Sequence, residues 1–374
     1  MGIDASLSAR VLDLAVTIQQ IPAPPFGEAQ RAEFVRQRFA VEGLEAVSLD
    51  ALGNVFACLP GSGRSKPLVV SAHLDTVFPF DTDLKVRREA DRIFGPGIGD
   101  NSLGVAGLFG LLWALRQERG DQPGLPGDLW LVANVGEEGL GDLRGIRAVV
   151  ERFKDEPLAY LILEGMAFGQ VYHRALGVQR YRITVRTEGG HSWVDYGRHS
   201  AIHELAELIT RITAIHAPAK PRSTLNVGVF SGGTSINTIA PEARLELDLR
   251  SEGAETLAGL VRQVERAVAA AEKPGVRVAL ELIGRRPAGK LASNHPLVRV
   301  AKRALQKQGT QPNLTIGSTD ANVPLSQGLP AITIGLSTGF GAHTTNEYIN
   351  TPPLAQGLGQ LVDVALGAFE ELSS

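Results

Sequence analysis

Two histidines and a set of carboxylates have the types and spacing to do chemistry in this chain. His73 and Asp75 stand two positions apart in SAHLDTVFPF, Asp100 closes GPGIGD, Glu137 and Glu138 are adjacent in LVANVGEEGLGD, Glu164 ends YLILEG, and His343 lies in GFGAHTTNEYI. Each follows an apolar, strand-like run or sits in a glycine-rich turn. Singly, each has an ordinary explanation: a hydrogen-bonded strand-end imidazole, a solvated acidic loop, a Gly-Asp-Asn turn. Gathered in one crevice they would not be ordinary, because converging carboxylates repel and raise one another's pKa values unless a cation lies among them. Imidazole and carboxylate donors without a thiolate suit two divalent ions of the zinc type that share a bridging carboxylate.

The local spacing suggests roles. Asp75, on the same side of an extended chain as His73, can accept the second N–H of that histidine and fix its tautomer. Glu137 and Glu138 face opposite ways in extended backbone, so one can bind metal while the other takes a proton from water held between two cations and passes it to a leaving amine. That is the chemistry of amide hydrolysis.

The elements that must position these residues can be read from periodicity. Helical patterns cover 5–19, 27–43 and 103–118, and strand patterns cover about 54–59, 67–72, 128–135 and 159–164. This alternation predicts helices packed on a mixed, mostly parallel sheet, an α/β fold in which ligands bind beyond the carboxyl ends of the strands. After Gly177 the pattern changes. VQRYRITVRT, STLNVGVFSG, ARLELDLRS and VRVALELIG alternate, and two amphipathic stretches, SAIHELAELITRITAIH and AETLAGLVRQVERAVAAAE, separate them as βαββαβ, the ferredoxin-like order. From Asn294 a helix (296–308), a short strand (331–335) and a final helix (352–371) return to the first style. The expectation is a discontinuous catalytic domain, 1–176 and 288–374, with a smaller domain inserted at 177–287.

Composition narrows the functional classes. The chain has 374 residues, 44% hydrophobic and 21% charged, with a formal net charge of −3, so nothing favours nucleic acid or an acidic membrane surface as partner. Its one cysteine, Cys58 in NVFACLP, excludes an intrachain disulfide framework and reads as packing. The first residues form an amphipathic pattern without the basic and apolar regions of a signal peptide, and no stretch reaches ~18 consecutive apolar residues, so a cytoplasmic location is expected. HELAE at 203–207 lacks the last histidine of the metalloprotease HExxH, GPGIGDNS satisfies neither the dinucleotide nor the P-loop pattern, and there is no G-x-S-x-G elbow.

The ordered set H-x-D, G-x-G-D-N, E-E, a strand-end Glu and a late HTTNEYI resembles the co-catalytic zinc peptidases and deacylases, a family that includes peptidase T, glutamate carboxypeptidase, acetylornithine deacetylase, succinyl-diaminopimelate desuccinylase and aminoacylase. The resemblance spans nearly the whole chain and puts the inserted domain in the family's lid or dimerisation position. It implies two divalent ions, zinc foremost with cobalt or manganese as alternatives. Asp100 would bridge them, His73 and Glu164 would complete one site, and Glu138 and His343 the other. Glu137 then matches the general base, Asp75 the residue that orients His73, and His191 in TEGGHSW the lid histidine that in dimeric members reaches the partner subunit's active site to stabilise the oxyanion. Asn237 resembles a lid asparagine that contacts substrate. Arg286, or its neighbour Arg285, resembles the arginine that holds a substrate carboxylate. Thr319, Asp320 and Asn322 would shape the pocket or support the metal ligands. The C-terminal stretches lean toward peptidase T, whereas Glu164, where that subgroup usually has Asp, leans toward the carboxypeptidases and deacylases. The implied substrates are short peptides or N-acyl amino acids, and the implied assembly is a homodimer through the lid.

Overall fold

Six consecutive residues, Leu68–His73, are buried on both faces, as a short apolar run flanked by turns should be in the middle of a parallel sheet. This strand pairs in parallel with Leu129–Asn134 on one side, where His73 stands opposite Asn134, and with Tyr160–Glu164 on the other. Tyr160–Glu164 pairs in parallel with Ala331–Gly335, Glu164 opposite Gly335. These four strands therefore all end along one edge. Two antiparallel strands, Val55–Leu59 and Glu45–Leu49, extend the sheet beyond Leu129–Asn134. At the other side Gln170–Ala175 runs antiparallel to Ala331–Gly335 and parallel to Asn313–Gly317. The result is the expected α/β fold with a mixed, mostly parallel sheet. The structure is a computed structural model that describes residues 3–121 and 124–373.

Helices cover the sheet. In Leu103–Arg119 every residue from Leu103 to Leu115 is buried, the signature of a helix surrounded by protein. It packs against Ala5–Gln19, Leu354–Leu372 and the Leu68–His73 strand. Together with the turn before it, Ile98–Arg119 is the one run among the described residues long and apolar enough to cross a membrane by length and composition, yet 94% of that window is buried in the molecule, which makes it a core helix. Ala5–Gln19 begins at Asp4, whose Oδ1 accepts the Leu7 N–H at 2.7 Å, a cap that stabilises a helix by about 1 kcal/mol. Its buried face is Leu7, Val11, Leu14, Ala15 and Ile18.

Several elements were not anticipated from the pattern: the edge strand Glu45–Leu49, the helix Arg144–Phe153, and the strands Gln170–Ala175 and Asn313–Gly317. A small antiparallel sheet was also missed. Arg87–Arg88, Arg92–Phe94, Tyr348–Asn350 and Gly339–Phe340 pair in that order, with Phe94 opposite Tyr348 and Tyr348 opposite Phe340. Strands of two or three residues are too short to show a period, yet this sheet carries the turn with Asp100 and the hairpin with His343.

The chain divides into two compact units, Met1–Ala175 with Lys290–Ser374, and Leu176–Gly289. The second unit has four antiparallel strands in the order Ser223–Gly232, Glu242–Ser251, Gly177–Thr187, Val276–Arg286. Ala201–Thr213 and Ala254–Ala269 pack on the face from which Ala243, Leu245, Leu247 and Leu249 project, forming a separate core. Connectivity and strand order are those of the ferredoxin-like βαββαβ arrangement.

Candidate metal centre

His73 is the last residue of its strand and Glu164 the last of the neighbouring parallel strand, while Glu137 and Glu138 lie in the loop after Leu129–Asn134. The parallel register thus delivers four of the sequence-identified residues to one edge. Asp100 enters from the turn ahead of the buried helix. There Gly165 must be glycine, since a Cβ would lie 2.1 Å from the carbonyl oxygen of Gly99. His343 comes from the hairpin of the small sheet and has φ +65°, a left-handed conformation that costs a residue with a side chain about 1–2 kcal/mol.

The side chains converge. The two carboxylate oxygens of Asp100 face different histidines: Oδ1 is 3.2 Å from His73 Nε2 and Oδ2 is 3.2 Å from His343 Nε2. His73 Nε2 is also 3.7 Å from Glu164 Oε2, and His343 Nε2 is 3.0 Å from Glu138 Oε1. Among the described residues, donor atoms within 4.8 Å of one another form three overlapping groups: His73 with Asp100 and Glu164, Asp100 with Glu138 and His343, and His73 with Glu137 and Glu138.

The support of this cluster differs from the sequence expectation at Asp75. His73 Nδ1 lies 3.0 Å from the backbone oxygen of Asp75 and 3.6 Å from its carboxylate, too long for a direct hydrogen bond. A carbonyl can only accept, so it is the main chain at Asp75 that puts a hydrogen on Nδ1, with Nε2 facing Asp100 and Glu164. The fully buried Asp75 carboxylate instead accepts the N–H groups of Glu137 at 3.0 Å and Glu138 at 2.7 Å, fixing the loop that carries both glutamates.

Other supports were not identified from sequence. Asn101, beside Asp100, donates to the Leu163 carbonyl at 2.8 Å and accepts the Gly165 N–H at 3.0 Å, tying the Asp100 turn to the strand of Glu164. Asn54 accepts the Val135 N–H at 2.9 Å. Arg31 is 1% exposed and donates to the carbonyls of Ile21 and Leu74, Leu74 being the residue between His73 and Asp75. Burial pulls Arg31 down to about 10 against the opposing charge of Asp75, so it stays cationic at neutral pH. An arginine in a helix otherwise rich in charge reads as surface, and nothing in sequence marks this one as buried.

Electrostatics describe a site built for cations. Burial acts to strip His73 of its second proton, but the Asp100, Asp75 and Glu164 carboxylates outweigh it and raise its pKa well above the usual imidazole value. Asp100 and Glu138 push His343 up to about 10. Burial pushes Glu164 up to about 7 although His73 opposes the rise, with Asp100 and Asp320 adding to it. Against its own burial, Asp100 is held below the usual carboxylate range by His343 and His73. Protons and divalent ions compete for the same lone pairs. Two imidazoles and three carboxylates, with no thiolate, are a donor set that divalent ions of the zinc type would fit.

A profile of peptidase family M20/M25/M40 matches residues 69–366, from the His73 strand into the final helix. The chain belongs to that family. It is therefore an M20-type hydrolase, and the fold agrees with solved M20-type structures. A tripeptidase from Staphylococcus aureus superposes with a TM-score of 0.82 at 22% identity, covering 97% of this chain and 99% of that one. The aminopeptidase PepT of Bacillus cereus superposes at 0.79 and 24% identity, with the same coverage. The YXEP protein of Bacillus subtilis, described as a dinuclear metal-binding M20 peptidase, superposes at 0.70 and 17% identity, covering 98% and 100%. Among sequence relatives, an acetylornithine deacetylase from Klebsiella pneumoniae is 27% identical over 304 residues, 76% of each chain.

The remaining sequence candidates belong to the second unit or to the turn between Asn313–Gly317 and the short helix Asn322–Ser326. His191 is exposed in a two-residue strand paired with Thr238–Ile239, and the Ser192 N–H donates to the carbonyl of Asn237 at 3.0 Å, so those two residues are neighbours. His191 Nδ1 accepts the N–H groups of Trp193 and Val194 at 3.2 and 3.3 Å, which puts the ring hydrogen on Nε2. Arg286 is buried at the end of its strand opposite Val178, and Arg285 is exposed. Asn322 is fully buried, its Oδ1 accepting the Thr319 N–H at 2.9 Å, and Asp320, also fully buried, accepts from Asn134 at 2.7 Å. Asn322 thus braces the turn that begins at Thr319.

Proposed function

We propose that the protein is a two-metal amidohydrolase that cleaves the amide bond of short peptides. The observation that carries the reading is the sharing of Asp100 between two donor groups, one with His73 and Glu164 and one with Glu138 and His343. Bound there, two divalent ions, zinc being the expected species and cobalt or manganese the alternatives, supply Lewis acidity toward the amide carbonyl and the attacking water.

The chain's own residues do the rest. Glu137 lies with His73 and Glu138, next to the two Asp100 groups, and its carboxylate accepts the proton of the attacking water and returns it to the leaving amine. Asp75, through the two backbone N–H groups it holds, keeps Glu137 and Glu138 at fixed separation. The inserted unit acts as a lid: His191, with its ring hydrogen on Nε2, donates to the oxygen on which charge develops. Asn237 beside it contacts substrate, and Arg286 holds a substrate carboxylate with its two-pronged guanidinium. Delivery of His191 to a neighbouring active site makes the enzyme a homodimer through this unit, and we propose that it acts in the cytoplasm.

A second reading within the family is an N-acyl-amino-acid deacylase, favoured by the acetylornithine deacetylase relative and by Glu164. Enzyme loaded with zinc, cobalt or manganese and offered di- and tripeptides alongside N-acyl amino acids decides between them. We expect peptide turnover, and we expect Glu137→Gln to lower it by a factor of about 10²–10⁴ with metal content unchanged. Turnover of acyl amino acids alone selects the second reading, and turnover of neither removes both.

A further inference from the structure

We propose that Glu347 is the positioning residue for the shared ligand Asp100: its carboxylate clamps the Gly97–Asp100 backbone to the hairpin that carries His343. The inference rests on the reading that Asp100 and His343 hold metal.

Glu347 is a fully buried acid outside all three donor groups. Its Oε1 accepts the N–H of Gly99 at 2.7 Å and of Asp100 at 2.8 Å, and its Oε2 accepts the N–H of Gly97 at 3.0 Å. Its own carbonyl accepts the Gly95 N–H at 2.9 Å. The chain here is turned so that several amides converge, with Gly97 at φ +73°, forming the kind of concavity that binds anions. Glu347 supplies that anion from within the protein.

The same residue ends the turn around His343. The Glu347 N–H donates to the Thr344 carbonyl at 3.2 Å, the Thr344 N–H donates to the Gly341 carbonyl at 3.0 Å, and Tyr348 then pairs with Phe94. One side chain therefore joins two ligand-bearing loops that lie 247 residues apart in sequence at the Asp100 contact. Because the Asp100 N–H is one of its three donors, any shift of Glu347 moves the Asp100 backbone, and with it both carboxylate oxygens, one facing His73 and the other His343. A carboxylate is the side chain suited to this work: three N–H groups need acceptors on both of its atoms, and a glutamine would turn an NH₂ donor toward at least one of them.

The test is a cobalt(II) titration of chelator-stripped wild type, Glu347→Gln and Glu347→Asp, followed by visible absorption and calorimetry. Wild type is expected to take up two equivalents. Glu347→Gln is expected to bind both about 10–100-fold more weakly, with an altered cobalt spectrum and an unchanged far-ultraviolet circular dichroism. A general loss of stability would lower the melting temperature without changing the spectrum of the folded protein, so an unaltered spectrum and affinity overturn the clamp. If Glu347→Gln does not fold, Glu347→Asp carries the same test, since its shorter side chain keeps the charge but cannot reach all three amides: weakened cobalt binding supports the clamp and unchanged binding overturns it. Wild type taking up fewer than two equivalents defeats the two-metal reading itself, an outcome distinct from equal binding by variant and wild type.

Discussion

In the α/β unit, His73, Asp75, Glu137 and Glu138 are each 5% exposed or less, and the backbone around them is fixed by Asp75, Asn54, Asn101 and Arg31. In the inserted unit, His191 is exposed on a ladder of two residue pairs and Asn237 is exposed just ahead of the paired strand, with Trp193 and Tyr196 at 85% and 90% exposure. The first arrangement suits groups that must stay charged and close together out of water, where each orphaned polar atom costs free energy. The second suits groups that meet substrate only on arrival and need a single oriented donor. On the proposed roles, His73, Glu138 and Glu164 sit at the end of a buried sheet and the exposed His343 is brought to them by the small sheet, whereas His191 and Asn237 sit on a surface ladder and its flank.

That contrast can be broken by experiment. Replacing His191 with Ala should lower turnover by a factor of about 10²–10³, as loss of one oxyanion donor does, and leave metal content and melting temperature unchanged. Metal analysis and calorimetry of the variant check this, and a loss of bound metal would erase the distinction between the units. A smaller effect, of the opposite kind, is expected at Arg31. Arg31→Met removes the donors to the Ile21 and Leu74 carbonyls, at about 1–3 kcal/mol for each carbonyl left buried without a partner. The melting temperature should fall, and metal affinity should fall with it through the displaced His73–Asp75 segment. Unchanged stability would show that water replaces the guanidinium.

Much of this was readable in the sequence, for identifiable reasons. The apolar runs before His73, Glu137 and Glu164 mark strands because they are buried on both faces, and a ligand at the end of such a run lands at the sheet's edge. The βαββαβ pattern of the second unit was equally plain, since each strand alternates and each helix is amphipathic. What escaped was support across long sequence separations. The Asp75 carboxylate binds amides 62 and 63 residues away, contacts to which local spacing is blind, and this is why His73 looked like its partner. Arg144–Phe153 begins directly after a loop held by Asn54 and Asp75, so its start is set by tertiary contacts and not by a capping residue. Glu347 was visible only as part of HTTNEYI. Its role depends on a small sheet whose strands are too short to leave a pattern.

The central claim is that Asp100 lets five side chains hold two divalent ions. Metal analysis of zinc-loaded protein after removal of free ion tests it most directly. The account predicts two equivalents per chain, one after His343→Ala removes a donor from a single group, and a loss at both positions after Asp100→Ala. One equivalent or none in the wild type, or two retained by Asp100→Ala, would contradict it.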